Sequence, residues 1–123
     1  MASNKIVRFG PTAITNAVTN MVNCNVTSLA GPVGFTMTQP YVVLRHIRIV
    51  NKTAASHNFT AYIGATGGSA AGTESIGVAQ VVAANSAYDW YGVLRLDVAD
   101  FLTAIADAST SLVFEAEGEI GLV

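Results

Sequence analysis

Apolar and polar residues alternate in short runs along most of this chain, and turn-forming residues separate the runs. The longest run, Tyr41–Val50, is rich in β-branched residues; the polar turn 51–56 and a second alternating run, Asn58–Ile63, follow it. This composition is typical of the two strands of a hairpin with a loop longer than two residues. Simple alternation places apolar residues on both faces of the first run, so we expect this strand to be covered on both sides.

The same pattern predicts further strands within 12–28, 75–82 and 88–96, with a bulge at Gly92. A final hairpin is expected to turn near 107–110 into a strand whose apolar residues lie opposite a row of three glutamates, Glu115, Glu117 and Glu119. A helix over 12–23 is the alternative for that segment, and its many Thr, Val and Asn residues disfavour it. The pattern therefore predicts an all-β fold, an antiparallel β-sandwich or barrel of about seven to nine short strands with an extended N-terminal arm.

The length of 123 residues is sufficient for one hydrophobic core. We expect a single β domain over 1–123, in which 1–40 supply the arm and the first strands and 41–123 form the sandwich core. No charged side chain occurs from Phe9 to Leu44. Such a segment can lie on a neighbouring subunit without removing charges from water. We therefore expect that deletion of residues 1–25 weakens docking and leaves the sandwich over 41–123 folded.

Charge is scarce: 11% of the residues are charged, against about 25% in an ordinary soluble domain. A subunit whose surface is covered by neighbours can replace charge with Thr, Asn, Ala and Val. The formal net charge is −2 and the basic residues are scattered, which argues against a nucleic-acid partner. No apolar run approaches the roughly 20 residues of a membrane helix, and no secretory signal is expected at the start. The single cysteine, Cys24, fits assembly in a reducing cytoplasm.

No catalytic motif is present, and we expect neither an enzyme nor a bound metal or cofactor. His46 and His57 would form only a weak metal site without a further ligand. The glutamate row could supply carboxylates for glycoside hydrolysis, but such sites draw them from different strands or loops. Pairing with cations of a neighbouring subunit is the better use of the row, and the candidate partners are Arg45, Arg48 and Arg95.

Several stretches resemble small virion proteins of tailed bacteriophages, especially phages of actinobacteria; these stretches are Leu44–Thr53, Tyr62–Gly67, Gly72–Glu74, Ala84–Gly92, Leu96–Leu102 and Glu115–Ile120. The resemblance covers 41–123 well and the first forty residues loosely. It implies a compact β-sandwich subunit of the virion. Proteins of this kind decorate the head, and others belong to the tail tip or the neck.

The uncharged amino-terminal third favours a capsid decoration protein that binds the outer surface of the head, stabilises it and is assembled in the host cytoplasm. The resemblance implies the major capsid protein and further copies of this chain, in a homotrimer, as partners. Residues expected at these interfaces are Lys5, Arg8, Phe9, Ile14, Arg45, Arg48, Glu115, Glu117 and Glu119. The alternative is a minor tail or neck protein that binds a host glycan through Trp90, Tyr91 and the Gly-rich loop 64–73.

Overall fold

The computed structural model describes residues 5–23, 41–97 and 99–121, and within them every regular element is a β-strand. The eight strands are β1 (Lys5–Ile14), β2 (Thr19–Asn23), β3 (Tyr41–Asn51), β4 (His57–Gly64), β5 (Gln80–Val82), β6 (Ser86–Leu96), β7 (Phe101–Ala106) and β8 (Leu112–Gly121). No helix in the described part of the chain is long and apolar enough to cross a membrane.

The strands form two four-stranded sheets with the orders β1-β8-β3-β6 and β2-β7-β4-β5. Every pairing is antiparallel. Apart from β4 and β5, neighbours within each sheet are not consecutive in sequence, so the chain crosses repeatedly from one sheet to the other, and this strand order is that of a jelly roll. The expected all-β sandwich is therefore confirmed.

The two expected hairpins are absent, and this part of the prediction is wrong. Strands β3 and β4 belong to different sheets, as do β7 and β8, so each turn crosses the sandwich. Asn51, fully buried at the end of β3, directs the first crossing. Its side-chain amide donates to the carbonyl oxygens of Ala55 and Val82, each at 2.9 Å, and its side-chain oxygen accepts from the backbone N–H of Thr53. These bonds turn the chain away from the first sheet and tie it to β5.

The faces of β3 also differ from those predicted. Arg45 is an extra residue in β3, because Leu44 and His46 lie opposite the consecutive residues Gly118 and Glu117 of β8. Such a bulge shifts the alternation by one position. As a result the buried side chains on both sides of it share the inner face, namely Val42, Leu44, Ile47 and Ile49. Strand β3 thus has one apolar face rather than two.

Strand β1 continues through Gly10-Pro11, where the sequence indicates a break. The register against β8 shifts between Phe9 and Thr12, which keeps Phe9 and Ile14 on the inner face, 7% and 0% exposed. The expected arm covers residues 1–40; of these, 5–23 form β1, β2 and their connection, and the remainder lie outside the described residues.

The strand expected over 75–82 is confined to Gln80–Val82. Ile76 and Ala79 have positive φ angles of 62° and 46°, which are incompatible with an extended strand. Backbone bonds nevertheless hold this segment along β4, from Ser75 N–H to the Ala61 oxygen at 2.8 Å and from Ala61 N–H to the Gly77 oxygen at 3.1 Å.

The core lies between the two sheets, and its largest buried side chains are Phe59 of β4 and Phe114 of β8. Phe59 also contacts the ring of Tyr88 on β6, with centroids 5.6 Å apart and planes at 59°. Tyr88 in turn donates from its hydroxyl to the Ile76 oxygen at 3.1 Å. These contacts join the two sheets at the β6 edge and leave the outward face of each sheet available for other contacts.

Candidate interaction face

Charge divides the sandwich into two unlike halves. Strands β2, β4, β5 and β7 contain no Asp, Glu, Lys or Arg, so we call their sheet the uncharged sheet. Every charged strand residue belongs to the other sheet. The outward side of that sheet, here called the charged face, carries Arg8, Arg45, His46, Arg48, Asp89, Tyr91, Val93, Arg95, Glu115, Glu117 and Glu119. Its four arginines and four carboxylates give it no formal net charge.

The bulge in β3 shapes the centre of this face. Arg45 points outward and donates from Nε to Glu119 Oε2 of β8 at 2.9 Å. Gly118 permits the close approach of the two strands here, because a Cβ at that position would overlap the carbonyl oxygen of Val43. A groove of about 370 Å³ opens beside the ion pair and is lined by Ile6, Arg45, His46, Glu117, Gly118 and Glu119.

Asp89 of β6 is held by two side chains of β3. Its Oδ1 accepts from Arg48 Nε at 3.0 Å and lies 2.7 Å from His46 Nε2. The hydrogen bond from Arg48, and after it the one from His46, lowers the pKa of the Asp89 carboxyl below its usual value. The same carboxylate raises the pKa of Arg48. This network fixes the charged side chains at the β6 side of the face.

Tyr91 stands over the same network. Its ring stacks on the imidazole of His46, with centroids 4.6 Å apart and an interplanar angle of 11°. His46 Nδ1 also lies 3.8 Å from Glu117 Oε1, so carboxylates of both neighbouring strands flank the imidazole. Tyr91 is nevertheless 73% exposed. The ring is therefore fixed in orientation and open to a partner.

Arg95 contacts two residues of the same chain, Asp97 and Tyr41. Its Nε donates to Asp97 Oδ1 at 2.8 Å, a bond that raises the pKa of Arg95, and its guanidinium lies 4.3 Å from the centroid of the Tyr41 ring. Arg8 faces Glu117 in register, and Arg48 faces Glu115. Within the described residues, neither Arg8 nor Glu115 makes an ion pair. Among the described residues of the charged face, these are the two charged side chains without an ion pair in the same chain.

The residues expected at interfaces do not all lie on the surface. Arg8, Arg45, Arg48 and the glutamate row share the charged face, and the row does lie opposite buried residues as predicted. Phe9 and Ile14 pack in the core, so their assignment to an interface is not retained. Lys5 begins β1 opposite Ile120, and its side chain lies outside the described part of the chain. Arg45 already pairs with Glu119 in the same chain, and pairing of the row with a neighbour's cations stays a prediction.

The histidines considered as metal ligands lie in different sheets. His46 bonds Asp89, whereas His57 Nδ1 lies 3.0 Å from Asp107 Oδ1. No group of three or more His, Cys, Asp or Glu that could hold a metal ion occurs among the described residues.

The glycan platform considered as an alternative, from Trp90, Tyr91 and the loop 64–73, is not assembled. The Trp90 ring is half-buried and packs over Gly92, so that a Cβ at Gly92 would lie only 2.8 Å from it. The loop is tied instead to the uncharged sheet, where the Gly68 oxygen accepts from the Thr103 hydroxyl at 2.7 Å. Of the two aromatic residues, Tyr91 is the one that faces outward.

The role of Asp89 in holding His46 and Arg48 was not predicted. Alternation along the strand predicted over 88–96 does place Asp89 on one face with Tyr91 and Arg95, two and six residues later. The partners of Asp89 on β3 could not be found in this way, because the bulge at Arg45 displaces them by one position.

Comparison with solved structures finds chains of similar fold, whereas comparison with family models and curated sequences finds none. No protein-family model matches the chain, and no curated protein matches its sequence. A chain in the cryo-EM structure of the extra small virus virus-like particle from the giant freshwater prawn Macrobrachium rosenbergii matches all of this chain over 79% of its own length, with 7% identity and a TM-score of 0.51. The chain thus shares its fold with a protein of a virus-like particle. A chain of infectious bursal disease virus strain Gt matches 98% of this chain over 30% of its own length, with 8% identity and a TM-score of 0.39.

Proposed function

We propose that the chain is a structural protein of a virus particle, and specifically a decoration subunit on the outer surface of a tailed-phage head. The observation that carries this proposal is the division of the sandwich into one sheet with every charged strand residue and one with none. A monomer in water benefits from charge on all sides, whereas a subunit with fixed neighbours needs it only where a partner or water requires it.

The charged face is the surface through which the subunit docks on the major capsid protein. The sign of its charges alternates from strand to strand across β1, β8 and β3. The face therefore fits a partner with a locally complementary pattern of charges rather than a uniformly charged polymer. The Arg45–Glu119 and Arg48–Asp89 pairs hold their side chains in place before docking. Arg8 and Glu115 then supply the charges that pair across the interface.

A second candidate is a subunit that forms a shell by itself. The full coverage of this chain by the match to the prawn virus particle favours it at the level of the fold. Electron microscopy of the purified chain separates the two functions. Closed shells formed without another protein support the second candidate, and their absence supports decoration.

Binding to expanded, mature capsids of the encoding virus tests the decoration function directly. We expect many copies per particle, greater resistance of the capsid to heat, and weaker binding as salt rises and screens the charge pairs. The copy number from a stained gel of purified virions also decides the position: a few copies per particle, or binding at the tail or neck only, would refute decoration of the head.

Matched charge reversals test which face docks. Arg8→Glu on the charged face should weaken capsid binding by about tenfold or more, the size of one lost charge pair at an interface. Lys52→Glu makes the same change of charge at an exposed position in the turn after β3 and should leave binding within about twofold. Equal losses in the two variants would show that net charge, and not this face, governs binding.

A further inference from the structure

The four edge strands of the sandwich are not equally protected against pairing with another chain. Strand β1 is interrupted by the bulge at Gly10-Pro11. Strand β2 has five residues and a register shift, and β5 has only three residues. Strand β6 has 11 residues; its register against β3 shifts between Tyr91 and Leu94, yet the side chains that pack toward the core keep alternate positions on both sides of the shift, namely Tyr88, Trp90, Leu94 and Leu96. Natural sheets blunt long edges with bulges, prolines or short strands; β6 has a register shift but no proline, and it is the longest of the four edge strands.

The outward residues at the middle of β6 are apolar and exposed. Tyr91 is 73% exposed and Val93 is 69% exposed, and they lie on either side of Gly92. The register against β3 shifts at Gly92–Val93, as the sequence predicts, but the alternation of β6 itself is kept. Gly92 carries no side chain, and the Trp90 ring covers its inner side. At Gly92 this edge therefore carries no side chain, and the two outward residues that flank it are uncharged.

The orientation of Tyr91 points across this edge. His46 lies on β3, the inner neighbour of β6, and the two rings are nearly parallel at 4.6 Å. One face of the Tyr91 ring is therefore turned toward β3 and the other is turned away from the sheet. A side chain of a strand added beside β6 would meet this second face.

We propose that β6 pairs antiparallel with β6 of a second copy of this chain, about a twofold axis at Gly92. This register places Asp89 opposite Arg95 of the second copy and Tyr91 opposite Val93 of the second copy. The twofold axis repeats each of these pairs, so the contact is isologous. Both kinds of pair, opposite charges and an aromatic with a β-branched residue, are among those that stabilise adjacent strands.

Neighbouring registers are less favourable. An axis at Tyr91 places Asp89 opposite Val93 of the second copy and leaves the charges without each other. An axis at Val93 places Asp89 opposite Asp97 of the second copy, and like charges directly opposite are destabilising. A slip to an axis between residues would set outward side chains against inward ones. Charge complementarity thus selects both a second copy as the occupant of the edge and Gly92 as the centre.

Pairing in this register makes one continuous eight-stranded sheet and joins the charged faces of the two copies into a single surface. The inference does not require the proposed function, since it concerns the purified chain alone. It differs from the homotrimer implied by the sequence resemblance, because a twofold contact gives pairs.

Sedimentation velocity between about 1 and 100 μM tests the pairing, since the mass of an associating chain depends on its concentration. The wild-type chain should approach twice its mass of 12.8 kDa. Val93→Lys should remain at the mass of one chain across this range. Val78→Lys, at a position 67% exposed outside the strands, is the matched control and should behave as the wild type. A wild-type monomer or trimer, or a Val93→Lys dimer, would overturn the proposal.

Disulfide trapping tests the register itself, in a Cys24→Ser background. Residues directly opposite each other in antiparallel strands have Cα atoms about 4.5–5.5 Å apart, which a disulfide can bridge. Tyr91→Cys mixed with Val93→Cys should give a cross-linked pair under mild oxidation, whereas each variant alone should not. Cross-linking of either variant with itself, or no cross-linking of the mixture, would refute an axis at Gly92.

Discussion

The imidazole of His46 stacks on the phenol ring of Tyr91, with ring centroids 4.6 Å apart and an interplanar angle of 11°. The two residues face each other across β3 and β6. His46 is further held by Asp89, so the stack joins the central strand of the charged face to its edge. The stack should therefore contribute to the free energy of unfolding although Tyr91 is exposed.

We expect a double-mutant cycle of His46→Ala and Tyr91→Ala to give a coupling free energy of about 0.5–1.5 kcal/mol, the size found for paired aromatic rings. Unfolding in urea supplies the four free energies of unfolding. The control cycle combines His46→Ala with Val113→Ala, an exposed position on β8, and should be additive within about 0.5 kcal/mol. A His46–Tyr91 cycle as additive as the control would show that the stack contributes nothing.

The Asp89 network predicts a dependence of stability on acid pH. The hydrogen bond from Arg48 lowers the pKa of Asp89 in the folded chain below its ordinary value of 3.8. A carboxylate of this kind stabilises the fold above its ordinary pKa, and the stabilisation is lost as the pH falls through the folded pKa. We expect the free energy of unfolding of Asp89→Asn to vary less with pH below about 4 than that of the wild type.

Urea unfolding at a series of pH values measures this difference. Lys52→Ala leaves every carboxylate in place and should keep the wild-type dependence on pH. A curve for Asp89→Asn that runs parallel to the wild type would mean that other groups account for the acid sensitivity.

The strands themselves could be predicted from alternation, but their faces could not always be. The glutamate row of β8 has no bulge, and its outward side was predicted correctly. In β3 the extra residue at Arg45 reverses the alternation, so Leu44 and Ile47 share the inner face although simple counting separates them. A bulge depends on how the neighbouring strands pair, here on the room that Gly118 leaves, and a single strand's sequence does not contain that information.

The pairing of strands could not be predicted from the sequence either. The turn after β3 was located correctly, because Asn and Ser cluster in it. Whether its two strands pair or separate depends on the buried amide of Asn51, whose carbonyl partner Val82 lies 31 residues away in sequence. The charged face was missed as a unit for the same reason, since it gathers residues from all four strands of one sheet.

Gly10 is predicted to be indispensable to the bulge in β1. Its φ of +88° belongs to the left-handed region, and a Cβ there would lie 2.6 Å from the Phe114 oxygen. Gly10→Ala should therefore lower the free energy of unfolding by about 1–3 kcal/mol, the cost of a strained backbone position. The matched control is Gly64→Ala, because Gly64 has no atom within 4 Å of its Cβ position and no positive φ. Equal effects of the two substitutions in urea unfolding would refute this account of the bulge.

Strands β1 and β2 should be part of the folding unit rather than an arm that can be removed. Ile14 of β1 is fully buried, whereas Ile6 of the same strand is 87% exposed. Ile14→Ala should cost about 2–5 kcal/mol of unfolding free energy through lost burial and the cavity that remains, and Ile6→Ala should stay within about 0.5 kcal/mol.

Deletion of residues 1–25 extends the same argument, because it removes β1 and β2 together. It exposes one edge of β8 and one edge of β7, and it removes Phe9, Ile14 and Val22 from the core. We therefore expect the truncated chain to lose its cooperative urea transition, contrary to the expectation from sequence alone. A truncated chain that unfolds cooperatively, together with an Ile14→Ala variant as stable as Ile6→Ala, would show that the amino-terminal segment is a dispensable arm after all.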